Sequence, residues 1–228
     1  MTIEELREQM ESELTWRSDE LRMLKNNLQF IIKEEDKSKY RKSLVVMLYA
    51  NFEGFCKICL LSYIKYLNSL NIKRKDISRK PELIASSMYE IFKLYDDKDR
   101  KNRIFKTTLP NDTNLHSVFR RADLIMGFDN FMEEKILLND EVVNTESNLW
   151  AHVLSKNLYI LGIHPDSFKH HNIDIDRLVN IRNSIAHGTE RRGITEKSFE
   201  KLEKCIIRTV MPNLITILIK EANLFRIA

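Results

Sequence analysis

The stretch LVVMLYANFEGFCKICLLSYIKYL, residues 44–67, decides the fold of this chain. Its apolar side chains recur at helical spacing, and they spread around much of the helix surface instead of forming one narrow stripe. A helix that is apolar on most sides must be covered on most sides. The stretch therefore predicts a helix from about Tyr40 to Leu70 at the centre of a helical bundle.

Long amphipathic segments on either side of this stretch supply the other helices of the bundle. Only 5 Gly and 4 Pro occur in 228 residues, which disfavours short strands joined by turns. Apolar residues at helical spacing predict helices over Ile3–Ile32, Ile175–Ala186 and Thr195–Leu224, with a charged turn at 33–39. Pro212 is expected to kink or split the last of these helices. We therefore predict an all-α fold, a bundle of four long helices with an inserted smaller helical lobe.

The lobe is predicted from shorter patterns. The whole chain, 1–228, is expected to form a single domain, with its core at about 1–71 and 145–228 and the lobe at about 72–140. The expected elements from the lobe onward are a helix from Pro81 to Tyr95, an exposed loop over Asp96–Asp112 with a short strand pair near Ile104–Leu109, a helix over Leu115–Met126 that Gly127 ends, and helices over Phe131–Leu138 and Glu146–Leu161, with Gly162 after the second.

Net charge, the N-terminal residues, the length of apolar runs and the cysteine number disfavour a strongly basic nucleic-acid binder, a secreted protein and a membrane protein. The net charge is only +4, so affinity for nucleic acid has to come from local basic clusters. The first residues lack a secretion signal, and no run of about 18 apolar residues predicts a membrane-spanning helix. The odd number of cysteines, 3, fits a reducing compartment. We expect a cytoplasmic protein without a membrane partner.

The end of the Ile175–Ala186 helix carries the residues with chemical potential, RNSIAHG at 182–188. Arg182 offers a planar cation for a phosphate, and His187 offers an imidazole for proton transfer. Asn183 lies one helical turn before His187, and Gly188 is a natural residue to end the helix. Because RNA carries its own nucleophile in the 2′-hydroxyl, this grouping suits cleavage of RNA and needs no metal. The spacing alone favours the other interpretation, a helix-capping His beside a surface Arg, and it is the context of the motif that favours catalysis.

Three stretches of the chain resemble one family, the HEPN domains (higher eukaryotes and prokaryotes nucleotide-binding). The first is RNSIAH at 182–187, preceded by IDRLV at 175–179. The second, YANFEGF at 49–55, resembles the stand-alone bacterial branch of the family, as does the third, Thr113-Asn114-Leu115 leading into a helix that ends at Gly127.

The resemblance implies a metal-independent endoribonuclease that acts as a homodimer, with the two motif helices lining one composite cleft. It also implies a toxin or anti-phage defence role, for which an antitoxin or regulatory protein is a candidate partner. By the same resemblance Arg182 and His187 are catalytic, Asn183 supports them, and Glu53 lines the cleft. Thr189 stands where HEPN toxins that are silenced by a partner nucleotidyltransferase carry a Tyr, so modification is not expected there.

The alternative to a nuclease is a catalytically silent HEPN-type dimer that binds RNA, nucleotide or a partner protein. Glu53 is then a surface carboxylate or part of an ion pair. Gly54 within the central helix suggests that another backbone packs closely there, and the motif helix is one candidate.

Other residues are candidates for RNA binding or have spacings that resemble metal sites. Arg191 and Arg192 follow the motif and are candidates for contact with the RNA backbone, and Phe105 beside Arg103 is a candidate for stacking on a base. Cys56 and Cys59 match a CxxC spacing but read as small buried thiols. His170 and His171 do not make a metal motif, and no metal or cofactor is expected.

Overall fold

The computed structural model describes residues 1–77, 79–100 and 113–225. Over these residues the chain is built from α-helices joined by short 3-10 turns, and extended backbone pairs only at an isolated antiparallel bridge between Lys73 and Lys135. The predicted all-α class is confirmed. The predicted strand pair near Ile104–Leu109, and with it Arg103 and Phe105, lies outside the described residues.

Two long helices form the N-terminal part of the bundle, α1 (Ile3–Asn26) and α2 (Glu34–Ser69). Thr2 caps α1 in a reciprocal arrangement with Glu5, since each side chain bonds the other residue's backbone N–H. The expected helix to Ile32 is too long, because a 3-10 turn over Asn27–Phe30 follows Asn26.

The predicted turn at 33–39 is wrong from residue 34 onward, where α2 has already begun. The acidic residues Glu34, Glu35 and Asp36 occupy its first turn, where the positive end of the helix dipole favours them.

Helix α2 is the central helix of the bundle, as its sequence predicted. It packs against α1 and against three helices nearer the C-terminus, at residues 172–186, 196–205 and 211–224. By length and mean hydropathy (1.7 over its most apolar window) α2 resembles a membrane-spanning helix, yet 56% of that window is buried inside the protein. A core helix covered by its neighbours has these same properties, so the expectation of no membrane partner stays a prediction.

The C-terminal part of the bundle contains α6 (Ala151–Ile160), α7 (Asn172–Ala186), α8 (Glu196–Cys205) and α9 (Met211–Leu224). Gly162 follows α6 with a φ of +72°, as expected for the residue that ends a helix, but α6 begins five residues later than Glu146, where the sequence placed its start. A 3-10 helix over Pro165–His171 leads into α7.

Pro212 does not split the last helix. Instead, a π-helical segment over Ile206–Val210 joins α8 to α9, and Pro212 occupies the first turn of α9. Proline has no N–H to donate, and its ring crowds the carbonyl four residues earlier. A wider π turn at this point accommodates both effects, so the C-terminal helix continues through the proline.

The middle of the chain forms α3 (Pro81–Ser87), α4 (Tyr89–Asp96) and α5 (Thr113–Glu133). Three expectations were wrong here. The expected helix from Pro81 to Tyr95 is interrupted at Met88, which separates α3 from α4. Gly127 lies inside α5, where a Cβ atom would come within 2.9 Å of the Phe131 ring, so this glycine makes room for an aromatic side chain one turn later. The expected helix over Phe131–Leu138 ends at Glu133, and the chain then becomes extended beside residues 72–74.

One hydrophobic core joins these elements. Ile77, Leu83, Ile136 and Leu138 belong to the same buried cluster as the residues of α1, α2, α7 and α9. The division into a bundle and a lobe stays a prediction.

His171 is a buried titratable group at the start of α7. Its Nε2 atom lies 2.8 Å from the side-chain nitrogen of Asn213, where a neutral imidazole accepts a hydrogen bond. Burial lowers the pKa of His171, an effect that Asp174 opposes and His170 reinforces. The folded protein therefore holds His171 neutral at pH values where the unfolded chain protonates it.

This difference predicts a loss of stability in mild acid. Between the lowered pKa of folded His171 and its ordinary value of about 6.5, the unfolded state binds the extra proton, so the free energy of unfolding falls as pH decreases. Urea unfolding from about pH 7.5 to about pH 5 should show this fall. The fall should be much smaller in His171→Gln and only slightly smaller in His170→Gln, because the exposed His170 is the least of the causes that shift the pKa of His171. Equal slopes in the two variants would contradict the assignment.

Candidate active site

Helix α7 ends as its sequence predicted. His187 is the last residue with near-helical geometry, and Gly188 follows with a φ of +70°, a conformation that glycine adopts without strain. The Gly188 N–H donates to the Ile185 carbonyl (3.1 Å), and the Glu190 N–H donates to the Ser184 carbonyl (3.0 Å). This closure of the helix leaves the His187 side chain exposed at the terminus.

Arg182 is half-buried five residues before His187, and three neutral groups hold it. Its Nη1 donates to the side-chain oxygens of Asn148 (2.7 Å) and Asn183 (2.8 Å). Its Cζ lies 4.6 Å from the centre of the Tyr49 ring, within the range of a cation–π contact. The hydrogen bonds described for Arg182 use Nη1 alone, so the Nε and Nη2 edge retains its donors.

Tyr49 is the support beneath this guanidinium. The residue is almost fully buried on α2, and its hydroxyl accepts a hydrogen bond from the Leu149 N–H (2.9 Å). Burial raises the pKa of Tyr49 to about 12; the Leu149 N–H opposes this rise, and the nearby Glu53 carboxylate adds to it. Tyr49 therefore stays neutral at physiological pH and acts by position.

Asn148 reaches Arg182 from the segment before α6, residues 144–150. Asn144 and Asn157 fasten the start of this segment through two hydrogen bonds of 2.9 Å. The Asp176 carboxylate of α7 accepts from the Ala151 N–H (3.0 Å) just beyond its end. The segment is thus attached to α2, α6 and α7 at once, which fixes the direction of Asn148.

Tyr49 and Asn148 are site residues that the sequence motif did not indicate. Tyr49 precedes Glu53 by four residues on α2, so helical spacing could have indicated it. Asn148 has no such signal, because the segment that carries it meets α7 only in the folded chain.

Glu53 is half-buried on α2, where its carboxylate lies close enough to the Tyr49 hydroxyl to affect its pKa. The structure thus connects Glu53 to Arg182 through Tyr49. Close packing at Gly54 comes from a different source than expected. A Cβ atom there would lie 3.1 Å from the guanidinium of Arg17 on α1, so the candidate role of the motif helix at this glycine was wrong.

The chain after His187 forms a strap, residues 189–194, that lies along the first turns of α2. Lys42 Nζ donates to the Glu190 carbonyl (2.5 Å), and the Ile194 N–H donates to the Ser38 carbonyl (2.9 Å). A Cβ atom on Gly193 would fall 2.0 Å from the Ser38 hydroxyl oxygen, which leaves no space for a side chain. Anchored at both ends, the strap leaves Arg191 and Arg192 exposed.

The remaining candidate residues have structural roles or none that is visible. Cys56 and Cys59 are buried, and burial is the main cause that raises the pKa of each thiol, in agreement with their reading as small core residues. His171 pairs with Asn213 while His170 is exposed. Within 1–77, 79–100 and 113–225, no group of three or more His, Cys, Asp or Glu residues is placed to hold a metal ion.

An all-α bundle with an Arg and a His at the end of one helix has the architecture expected of a HEPN domain. The family model described as RiboL-PSP-HEPN matches residues 12–220, and the chain belongs to this family. No curated protein and no solved structure matches the chain. Membership suggests a function of the RNase or nucleotide-binding type.

The Tyr49 hydroxyl can be tested by stability. Tyr49→Phe keeps the ring beneath Arg182 but leaves the buried Leu149 N–H without an acceptor, which should lower the free energy of unfolding by about 1–3 kcal/mol. Tyr159→Phe removes a hydroxyl from a half-exposed tyrosine and should change it by less than about 0.5 kcal/mol. Urea unfolding measures both. The support assigned to the Tyr49 hydroxyl fails if the two variants are equally stable.

The strap can be tested by proteolysis. Gly193→Ala should push the strap away from α2, so trypsin should cut after Arg191 and Arg192 severalfold faster than in the parent protein. Ser38→Gly in the same chain removes the closest obstacle and should restore part of the protection. Unchanged cleavage in Gly193→Ala would show that the strap is not held as described.

Proposed function

We propose that this protein is a metal-independent endoribonuclease in which Arg182 binds the scissile phosphate and His187 transfers a proton. The main support for this proposal is the set of contacts that hold Arg182. Two amide oxygens and a tyrosine ring fix its guanidinium, and its Nε and Nη2 donors remain available for a phosphate.

Other arginines of the chain show how unusual this environment is. The buried arginines Arg17, Arg41 and Arg74 each pair with a carboxylate, at 3.2, 2.6 and 2.8 Å respectively. A structural arginine in a protein interior is normally neutralised in this way. Arg182 is bonded to neutral groups, so its positive charge stays available to an incoming anion.

The proposed reaction needs two proton transfers. The 2′-hydroxyl oxygen forms a bond to phosphorus as the bond from phosphorus to the 5′-oxygen breaks. One group takes the proton of the 2′-hydroxyl, and another supplies a proton to the departing 5′-oxygen. The products are a 2′,3′-cyclic phosphate and a 5′-hydroxyl. Arg182 stabilises the negative charge that develops on the phosphorane oxygens.

The need for two proton-transfer groups supports a homodimer. Each chain offers one exposed imidazole at the end of α7, and two copies that meet at this end supply two. The α2 surface beside Tyr49 exposes Val46 and Ala50, small apolar side chains that suit such a contact. Asn183 holds Arg182 in this scheme, and Arg191 and Arg192 contact the RNA backbone on either side of the cut.

In the cell, we propose that the protein acts in the cytoplasm as a toxin or an anti-phage defence effector, restrained by an antitoxin or another regulatory protein. Membership of a family of the RNase or nucleotide-binding type supports an activity on RNA, and the cellular role rests on that activity. A silent HEPN-type dimer remains the alternative, and the activity of the purified protein separates the two.

The proposal predicts cleavage of cellular RNA in the presence of EDTA. His187→Ala should lower the cleavage rate by about 100-fold to 10,000-fold, the usual effect of losing a general acid or base. Arg182→Lys should also lose most activity, because an ammonium group cannot provide the same planar pair of donors.

The matched controls are His170→Ala and Arg208→Lys, which change an exposed residue of each type away from the motif. Both should cleave like the parent protein. If the parent cleaves nothing and slows no growth on expression, the silent alternative is favoured. If His187→Ala cleaves as fast as the controls, the assigned role of His187 is wrong.

A further inference from the structure

A groove of about 490 Å³ lies between α3, the end of α6 and the extended segment 135–139. It is large enough for several side chains of a ligand. None of the residues discussed for the RNA-cleaving site lines it. We call it the acidic groove, after the carboxylates of Glu82, Glu90 and Glu141 that line it.

Exposed apolar side chains form much of its wall. Tyr89, Leu137 and Tyr159 line the groove, and they are 60%, 70% and 50% exposed. A single exposed apolar residue is ordinary on a protein surface, but several around one concave site mark a place where another molecule binds.

The charged side chains that line the groove are all acidic, although Lys93, outside the lining, lies 3.9 Å from the Glu90 carboxylate. Glu82, Glu90 and Glu141 line it, and no Lys, Arg or His is among the lining residues. The C-terminal ends of α3 and α6 also lie here, and the carbonyl end of a helix carries a partial negative charge. A chain with a net charge of +4 therefore presents a negative apolar groove, which repels phosphate and attracts cations.

The segment 135–139 has backbone available for pairing. The Ile136 N–H donates to the Ile72 carbonyl (2.9 Å), and the Leu138 N–H donates to the Asn68 side chain (2.9 Å), so both face inward. Leu137 between them makes no backbone hydrogen bond within the described residues. In an extended chain its N–H and C=O point to the opposite edge, where an added strand finds its partners.

We propose that the acidic groove binds an extended segment of a partner protein in which apolar side chains alternate with Lys or Arg. Apolar side chains fill the groove beside Tyr89 and Tyr159, and the basic side chains meet the three carboxylates. The backbone of the segment pairs with Leu137. Because this groove is separate from the residues around Arg182, the proposal goes beyond the nuclease function and stands without it.

The test uses defined probes and the full chain. Three fluorescein-labelled peptides of equal length alternate leucine with arginine, with glutamine or with glutamate, and fluorescence anisotropy reports binding. The arginine probe should bind, the glutamine probe should bind more weakly, and the glutamate probe should not bind. N-methylation of alternate residues in the arginine probe should weaken it by removing backbone donors.

Matched variants locate the site. Glu90→Lys with Glu141→Lys should weaken the arginine probe by about tenfold or more, whereas Glu8→Lys with Glu200→Lys, an equal change of charge on exposed residues elsewhere, should leave it within about twofold. Leu137→Gln should weaken binding of the arginine probe, whereas Met23→Gln, which changes an exposed apolar residue outside the groove, should not. Circular dichroism checks that each variant is folded.

Several results would overturn the proposal. These are an arginine probe that does not bind, equal weakening by the two double variants, or an N-methylated probe that binds as well as the parent probe. A labelled RNA oligonucleotide that loses affinity for Leu137→Gln but not for Met23→Gln would show that the groove binds RNA instead. None of these readouts depends on RNA cleavage.

Discussion

The contact of the Arg182 guanidinium with the Tyr49 ring, and with the side-chain oxygens of Asn148 and Asn183, is the interaction on which the site depends. It joins α2, α7 and the segment before α6 at one point. Because every ligand of the guanidinium is neutral, its orientation is fixed without loss of its charge. This retained charge is the reason for which we propose that Arg182 binds an anion.

The rest of the fold determines where the Arg182 guanidinium and its neighbours lie. Helix α2 is apolar on most sides, so the bundle encloses it and buries the Tyr49 ring and its hydroxyl. Gly188 ends α7 in a conformation that costs a glycine little, and His187 stays exposed beside the terminus. Gly193 then lets the strap pass against Ser38, which returns the chain to α8 and leaves two arginines facing solvent.

Sequence periodicity predicted the parts of this arrangement that are local. The end of α7 at Gly188, the central place of α2 and the buried thiols of Cys56 and Cys59 all follow from helical spacing and residue type. The prediction that Gly127 ends a helix was wrong. In the local sequence, a glycine that makes room for the Phe131 ring cannot be distinguished from one that ends a helix. The sequence could not predict the contact of Asn148 with Arg182 or that of Arg17 with Gly54, because each contact joins two segments that are distant in the chain.

The chemistry of the cut RNA ends shows whether Arg182 and His187 promote attack by the RNA's own 2′-hydroxyl. RNA cut by the purified protein in EDTA would be mapped for its terminal groups. The account predicts a 2′,3′-cyclic phosphate on one side of the cut and a 5′-hydroxyl on the other. A 3′-hydroxyl opposite a 5′-phosphate would mean that water, not the 2′-oxygen, attacks the phosphorus, and would contradict it.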